Sequence, residues 1–255
     1  MTSVRELATC LNIVESTPGQ MSIEQDFFGY LARGDVGPLS LRTQMQLVQG
    51  PHIDLNLIRV GNENFTFANE QQIDAAVEIM RTIYAAQGVG VGRVLRYYIT
   101  EAEANQLFIY NSTMLIDAQA EALTIAYTVQ NKGIDVFLLL QWDPIPGGTV
   151  GLSPVGGTCD KHDDCTMTGS VVSLETGPNT GAVLAHEVGH YLGLSHINGL
   201  SAAQIDLNGD GVIDPGVPAS IVNNVMCPIE SVPTPSFNNL QGASIHLHCF
   251  MRPGC

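Results

Sequence analysis

The stretch HEVGHYLGLSH, running from His186 to His196, constrains this 255-residue chain more than any other. The chain holds only seven histidines, and three of them fall inside this stretch. His186 and His190 are four apart, so on a helix they share one face and their imidazoles can meet one metal ion. If the helix ran on, His196 would lie about 15 Å further along the axis than His186, out of reach. The chain must therefore turn after His190, and Gly193 is placed to make that turn, because glycine accepts the left-handed backbone that ends helices. Glu187 points about 100° around the axis from His186. From there its carboxylate can reach a metal-bound water without being a ligand. Three imidazoles with a fourth position open is the pattern of a catalytic zinc, which lowers the pKa of its water to about 7.

The rest of the chain supplies a frame for such a helix. From Pro51 onward, HIDLNLIRV alternates in the manner of a strand. Asn69, with Gln72 as its capping-box partner, marks a helix start, and Ile73, Ala76, Val77, Met80 and Tyr84 form the buried stripe, with Gly88 as the stop. VLRYYIT reads as a second strand, DAQAEALTIAYTVQ as a helix, and IDVFLLLQW as a strand buried on both faces inside a mostly parallel sheet. GGTVGLSP is a short edge strand and GSVVSL another strand, after which Asn179 or Thr180 opens the histidine helix. This order predicts an α/β fold: a twisted, mixed but mostly parallel sheet with packed helices. Residues 1–50 read as an N-terminal extension.

Composition bears on partners. Ten Lys+Arg against 25 Asp+Glu give a net charge of −15. Such a surface repels phosphate backbones and anionic lipid, so no nucleic acid and no membrane insertion are expected. The longest apolar run, Val136 to Leu140, is far too short to span a bilayer. The opening segment, with Arg5, Glu6 and Glu15, lacks the apolar stretch of a secretory signal. Six cysteines fit disulfides in an oxidising compartment, so secretion is expected. CDKHDDC, from Cys159 to Cys165, reads as a disulfide-closed acidic loop in preference to a second metal site.

His186, Glu187, His190, Gly193 and His196 together resemble the signature of the metzincin metalloendopeptidases. The similarity covers about residues 51–255. It implies a methionine-bearing turn beneath the metal, for which NNVMCP supplies Met226. It implies a catalytic N-terminal subdomain, 51–196, and a smaller C-terminal subdomain, 197–255, with a cleft between them. An edge strand there binds extended substrate, and Gly151 and Leu152 are the candidates. Residues near Pro228 to Ser231 would wall the pocket beyond the cleaved bond. Met226 with Pro228 resembles matrixins and adamalysins; the NxM turn with the later FNNLQ resembles the pappalysin-like group, which we favour.

DLNGDGVID places Asp206, Asn208, Asp210, the Val212 carbonyl and Asp214 at the spacing of a calcium loop, with Gly211 at its sharp turn and Val217 where a bidentate acid usually stands. The expected activity is zinc-dependent hydrolysis of protein or peptide substrates, with Glu187 as general base. Two alternatives remain: an adhesion module that keeps zinc without turnover, and a zinc amidase acting on small substrates. Glu187 weighs against the first. An open strand edge would weigh against the second. The sequence does not fix the oligomeric state.

Overall fold

The computed structural model describes residues 5–6, 50–142, 150–161, 166–229, 232 and 234–253. Most of the N-terminal extension, the 143–149 link and Cys165 therefore lie outside the described residues. Among the described residues, eight strands and six α-helices follow in the order β1 (Arg5–Glu6), β2 (His52–Val60), α1 (Phe67–Ala85), β3 (Gly90–Ile99), α2 (Glu101–Ala104), β4 (Thr113–Met114), α3 (Asp117–Ala126), β5 (Ile134–Leu139), β6 (Gln141–Trp142), β7 (Gly151–Leu152), β8 (Gly169–Ser173), α4 (Thr180–Tyr191), α5 (Ala219–Val222) and α6 (Asn239–Ile245).

The main sheet runs β1-β3-β2-β5-β8-β7. Its four inner strands are parallel, while β1 and β7 are antiparallel edges. Every residue of β5 is buried, as its continuous apolar run requires of a strand covered on both faces. α1 and α4 share one core with Ile53, Leu55 and Leu57 of β2. Ala120 and Leu123 of α3 lie in the other core, with Ile58, Val60, Trp142 and Val171. The expected α/β sheet is thus present, with helices on both faces.

Helix α1 starts earlier than its sequence suggests. Thr66, not Asn69, is the cap: its Oγ1 accepts from Asn69 N–H, and Asn69 Oδ1 accepts from Thr66 N–H at 2.9 Å. Both residues can cap, and starting at Thr66 adds nearly a turn of backbone hydrogen bonds. Gln72 is thereby released to bridge helices, donating to Leu174 O at 2.6 Å and, at the first residue of α4, to Thr180 Oγ1 at 2.8 Å.

The C-terminal tail returns to the sheet. His52 and Arg252 exchange backbone hydrogen bonds, and Arg252 Nη1 donates to Asp54 Oδ2 at 2.9 Å. A disulfide joins Cys159 to Cys249 across 90 residues. Cys159 therefore does not close the acidic loop on Cys165; the tail lies alongside the 157–161 segment, where His248 bonds Gly157 O and Phe250 packs on Tyr191.

Beneath that segment lies a buried ion pair. Lys161 Nζ donates to Asp135 Oδ1 at 2.7 Å and to Val129 O at 2.9 Å. Asp135 also accepts from Asn56 Nδ2, Thr128 Oγ1 and Val129 N–H. Burial pushes the Asp135 carboxyl up, and Lys161 opposes the shift. Removing one partner strands the other charge, so Lys161→Met should cost about 3–5 kcal/mol of stability in urea denaturation.

Candidate metal centre and active site

All twelve residues of α4 are buried. The helix can therefore carry polar side chains only where they meet each other or a ligand. It ends in a two-bond reversal. Gly193 takes φ +93°, its N–H bonds His190 O at 2.9 Å, and Leu194 N–H bonds Gly189 O at 3.0 Å. These are the paired bonds of a Schellman cap. The carbonyls of His190 and Tyr191 are further satisfied by the N–H groups of Gly156 and Gly157, at 2.9 and 2.7 Å.

The reversal brings His196 back. Ring centroids of His186, His190 and His196 lie 4.6 to 5.3 Å apart. One nitrogen from each falls within 4.8 Å of the others, and among the described residues no other such group forms. Nδ1 of His186 lies 2.7 Å from Val225 O, and Nδ1 of His190 lies 2.7 Å from Leu194 O. A carbonyl only accepts, so both Nδ1 atoms carry the proton and the lone pair is on Nε2. Burial, reinforced by the neighbouring His186, pushes His190 down to about 3. The same causes lower His196. His190 thus stays neutral at physiological pH, and His196 shifts in the same sense, as metal ligation requires. Three imidazoles on a bent backbone fit zinc with a position left for substrate.

Glu187 is buried beside β7. A Cβ built on Gly151 would lie 2.5 Å from Glu187 Oε1, so the edge strand passes close over this carboxylate because residue 151 lacks a side chain. β7 pairs with β8 through Gly151↔Val172 and Leu152↔Val171, and its outer edge pairs with no described strand.

Met226 is fully buried in a turn under α4, and its Sδ lies 2.8 Å from where a Cβ on Gly189 would stand. Met226 O accepts from Ile197 N–H at 2.8 Å. The turn thus grips the chain on both sides of the site. Sequence reasoning placed Met226 but passed over Gly189, although a second glycine inside the histidine repeat was the available signal. It also missed the Val225 and Leu194 carbonyls, which carry no side-chain signature.

The loop at Asp206–Asp214 behaves differently. Asp206 accepts from the N–H groups of Gly209, Asp210 and Gly211, Asp210 from Val212 N–H, and Asp214 from Leu207 N–H. Gly211 has φ +81° at the expected sharp turn. The aspartates are turned onto the loop's own amides, and among the described residues they do not gather as the histidines do. Pro228 and Ile229 follow the Met226 turn, whereas Glu230 and Ser231 lie outside the described residues.

A family model for M12B reprolysin-like metallopeptidases matches residues 66–232, from the cap of α1 through the Met226 turn. The chain belongs to this family. It is thus a metzincin-type metallopeptidase, reprolysin-like where the sequence reading favoured the pappalysin-like group. Human "A disintegrin and metalloproteinase with thrombospondin motifs 10" is 41% identical over 51 residues, and its mouse counterpart 39% over 51. Those stretches cover 20% of this chain and 4% of each relative, which are far longer proteins. Among solved structures, metalloproteinase-II from Bacteroides fragilis is similar at 13% identity and a TM-score of 0.48, covering 78% of this chain and 53% of that one.

The Gly151–Glu187 contact makes a prediction for this metallopeptidase. Gly151→Ala should displace the Glu187 carboxylate, lowering kcat on a peptide substrate about tenfold or more, and the overpacking should lower Tm as well. Wild-type turnover in the variant would show that the close approach is incidental.

Proposed function

We propose that this chain is a zinc endopeptidase that cleaves extended segments of protein or peptide substrates, with Glu187 as its general base and His186, His190 and His196 as its zinc ligands. One observation carries the reading: the three imidazoles converge next to a buried carboxylate, under an open strand edge. Zinc, when bound, supplies Lewis-acid polarisation of the scissile carbonyl and acidifies water.

The protein's own groups do the rest. The backbone of Gly151 and Leu152 offers an outer edge, paired with no described strand, to a substrate strand laid antiparallel, which binds unfolded peptide without regard to most of its side chains. Glu187 takes a proton from the attacking water and hands it to the leaving amine nitrogen. Its position between α4 and β7 keeps the carboxylate close to the substrate backbone. Pro228 and Ile229 would wall the pocket for the side chain beyond the cleaved bond. The buried Glu187 disfavours a zinc module without turnover, and the open β7 edge disfavours a closed amidase pocket.

Glu187→Ala should retain stoichiometric zinc, measured by metal analysis, while peptide cleavage falls by about 10²–10⁴-fold. Turnover that survives in the metal-replete variant would remove Glu187 from the mechanism.

Two finer readings accompany this one. We assign calcium to the loop formed by Asp206, Asn208, Asp210, Val212 and Asp214, supported by their alternate spacing and the left-handed Gly211. Millimolar calcium should then raise Tm in the wild type but not in Asp210→Ala; no rise in the wild type sinks the assignment. We also place the protein outside the cell, supported by the Cys159–Cys249 disulfide, which oxidising compartments preserve. No helix of the described residues is long and apolar enough to cross a membrane.

A further inference from the structure

The segments NNVM and FNNLQ meet behind the metal centre. Asn224 is buried at the start of the Met226 turn. Its Oδ1 accepts from Met226 N–H at 2.9 Å and from Gln241 Nε2 at 3.0 Å, and its Nδ2 donates to Gln241 Oε1 at 2.9 Å. The two side-chain amides thus form a reciprocal pair. Its orientation is fixed at both ends by backbone donors, because Gln241 Oε1 also accepts from Asn238 N–H at 2.8 Å. Flipping either amide would set donor against donor.

The N–H that Asn224 holds belongs to the Val225–Met226 peptide. In a planar trans peptide the N–H and C=O point in opposite directions. The carbonyl of this same unit, Val225 O, is the one that receives the proton on His186 Nδ1. The next carbonyl, Met226 O, receives Ile197 N–H, directly behind His196. Rotating this one peptide would therefore remove the acceptor of His186.

We propose that the Asn224–Gln241 amide pair is a positioning device for the metal centre: it locks the rotation of the Val225–Met226 peptide and so sets the tautomer and ring orientation of His186. The inference rests on the zinc reading above. Neither residue belongs to the His186–His190–His196 cluster. Gln241 stands in the last helix, α6, so the pair makes the geometry of the histidines depend on the docking of that helix. Outer hydrogen-bond partners of metal-bound histidines act in this way, by fixing which nitrogen is protonated and where the ring points.

The test uses the full chain and five variants: Asn224→Ala, Gln241→Ala, the double variant, Gln241→Glu, and Thr66→Ala as a remote control that loses the cap of α1. Tm is measured for each, and all binding is read below the lowest value. Zinc affinity is measured by competition with a chelator, and ligand geometry by the visible absorption of the cobalt(II)-substituted protein. Each alanine variant should lose about 10–100-fold in zinc affinity and show displaced cobalt bands. The double variant should be no worse than the poorer single, since both remove one device. Gln241→Glu keeps acceptors for Asn224 Nδ2 and Asn238 N–H but loses the Nε2 donor and sets a carboxylate oxygen against Asn224 Oδ1, so it should lose zinc affinity as the alanine variants do. Thr66→Ala should lower Tm and leave zinc affinity and cobalt bands unchanged. If Asn224→Ala does not fold, Gln241→Ala, at a half-buried position, carries the test. Wild-type zinc affinity and unshifted bands in the folded alanine variants would overturn the positioning role. A wild-type protein that bound neither metal would overturn the zinc reading, and this inference with it.

Discussion

The metal centre depends on one backbone conformation, the left-handed turn at Gly193. Without it the third imidazole would be carried away along the axis of α4. With it, two hydrogen bonds close the end of the helix and the chain doubles back within three residues. The same reversal turns the Leu194 carbonyl onto His190, so the turn that delivers one imidazole also fixes the tautomer of another. A side chain with a Cβ would be strained at this φ, and the strain would fall on the geometry of the site.

Two further glycines set clearances on either side of α4. Gly189 lets Met226 lie directly under the helix, and Gly151 lets the edge strand pass over Glu187. The helix is thereby held between a turn below and a strand above, with no gap that a methyl group would fill. Such packing suits a trio of close imidazoles, two buried and His196 half-buried. Burial and mutual repulsion lower His190 and His196, and neutral rings are the form that binds metal.

The tail adds a constraint from a distance. The loop that caps the last carbonyls of α4 through Gly156 and Gly157 runs directly into Cys159, and Cys159 is bonded to Cys249 in the returning tail. Lys161, two residues on, is anchored in the buried Asp135 pair under the sheet. Residues near the C-terminus thus brace the end of the active-site helix, although they lie far from it in sequence. Cys249 and Arg252 tie the tail back to Cys159 and to His52 and Asp54 of the main sheet.

What the sequence determined by itself is local and periodic. The spacing of His186, Glu187, His190, Gly193 and His196 demanded a helix, a stop and a return, because rise per residue and glycine's backbone freedom are properties of the chain alone. The unbroken apolar run of β5 demanded cover on both faces. The edge position of Gly151 and Leu152 followed from their shortness and their glycines. What tertiary structure decided is the set of partners. Cys159 chose Cys249 because the tail lies beside it, not because of spacing. Thr66 took the cap that Asn69 also fitted, since the longer helix gains more hydrogen bonds. The Val225 carbonyl that orients His186 carries no sequence mark: a backbone carbonyl is the same in every residue, and only the folded chain brings one to a histidine 39 residues away. Asn224 and Gln241 stand in stretches that the sequence singles out, but only the fold pairs them.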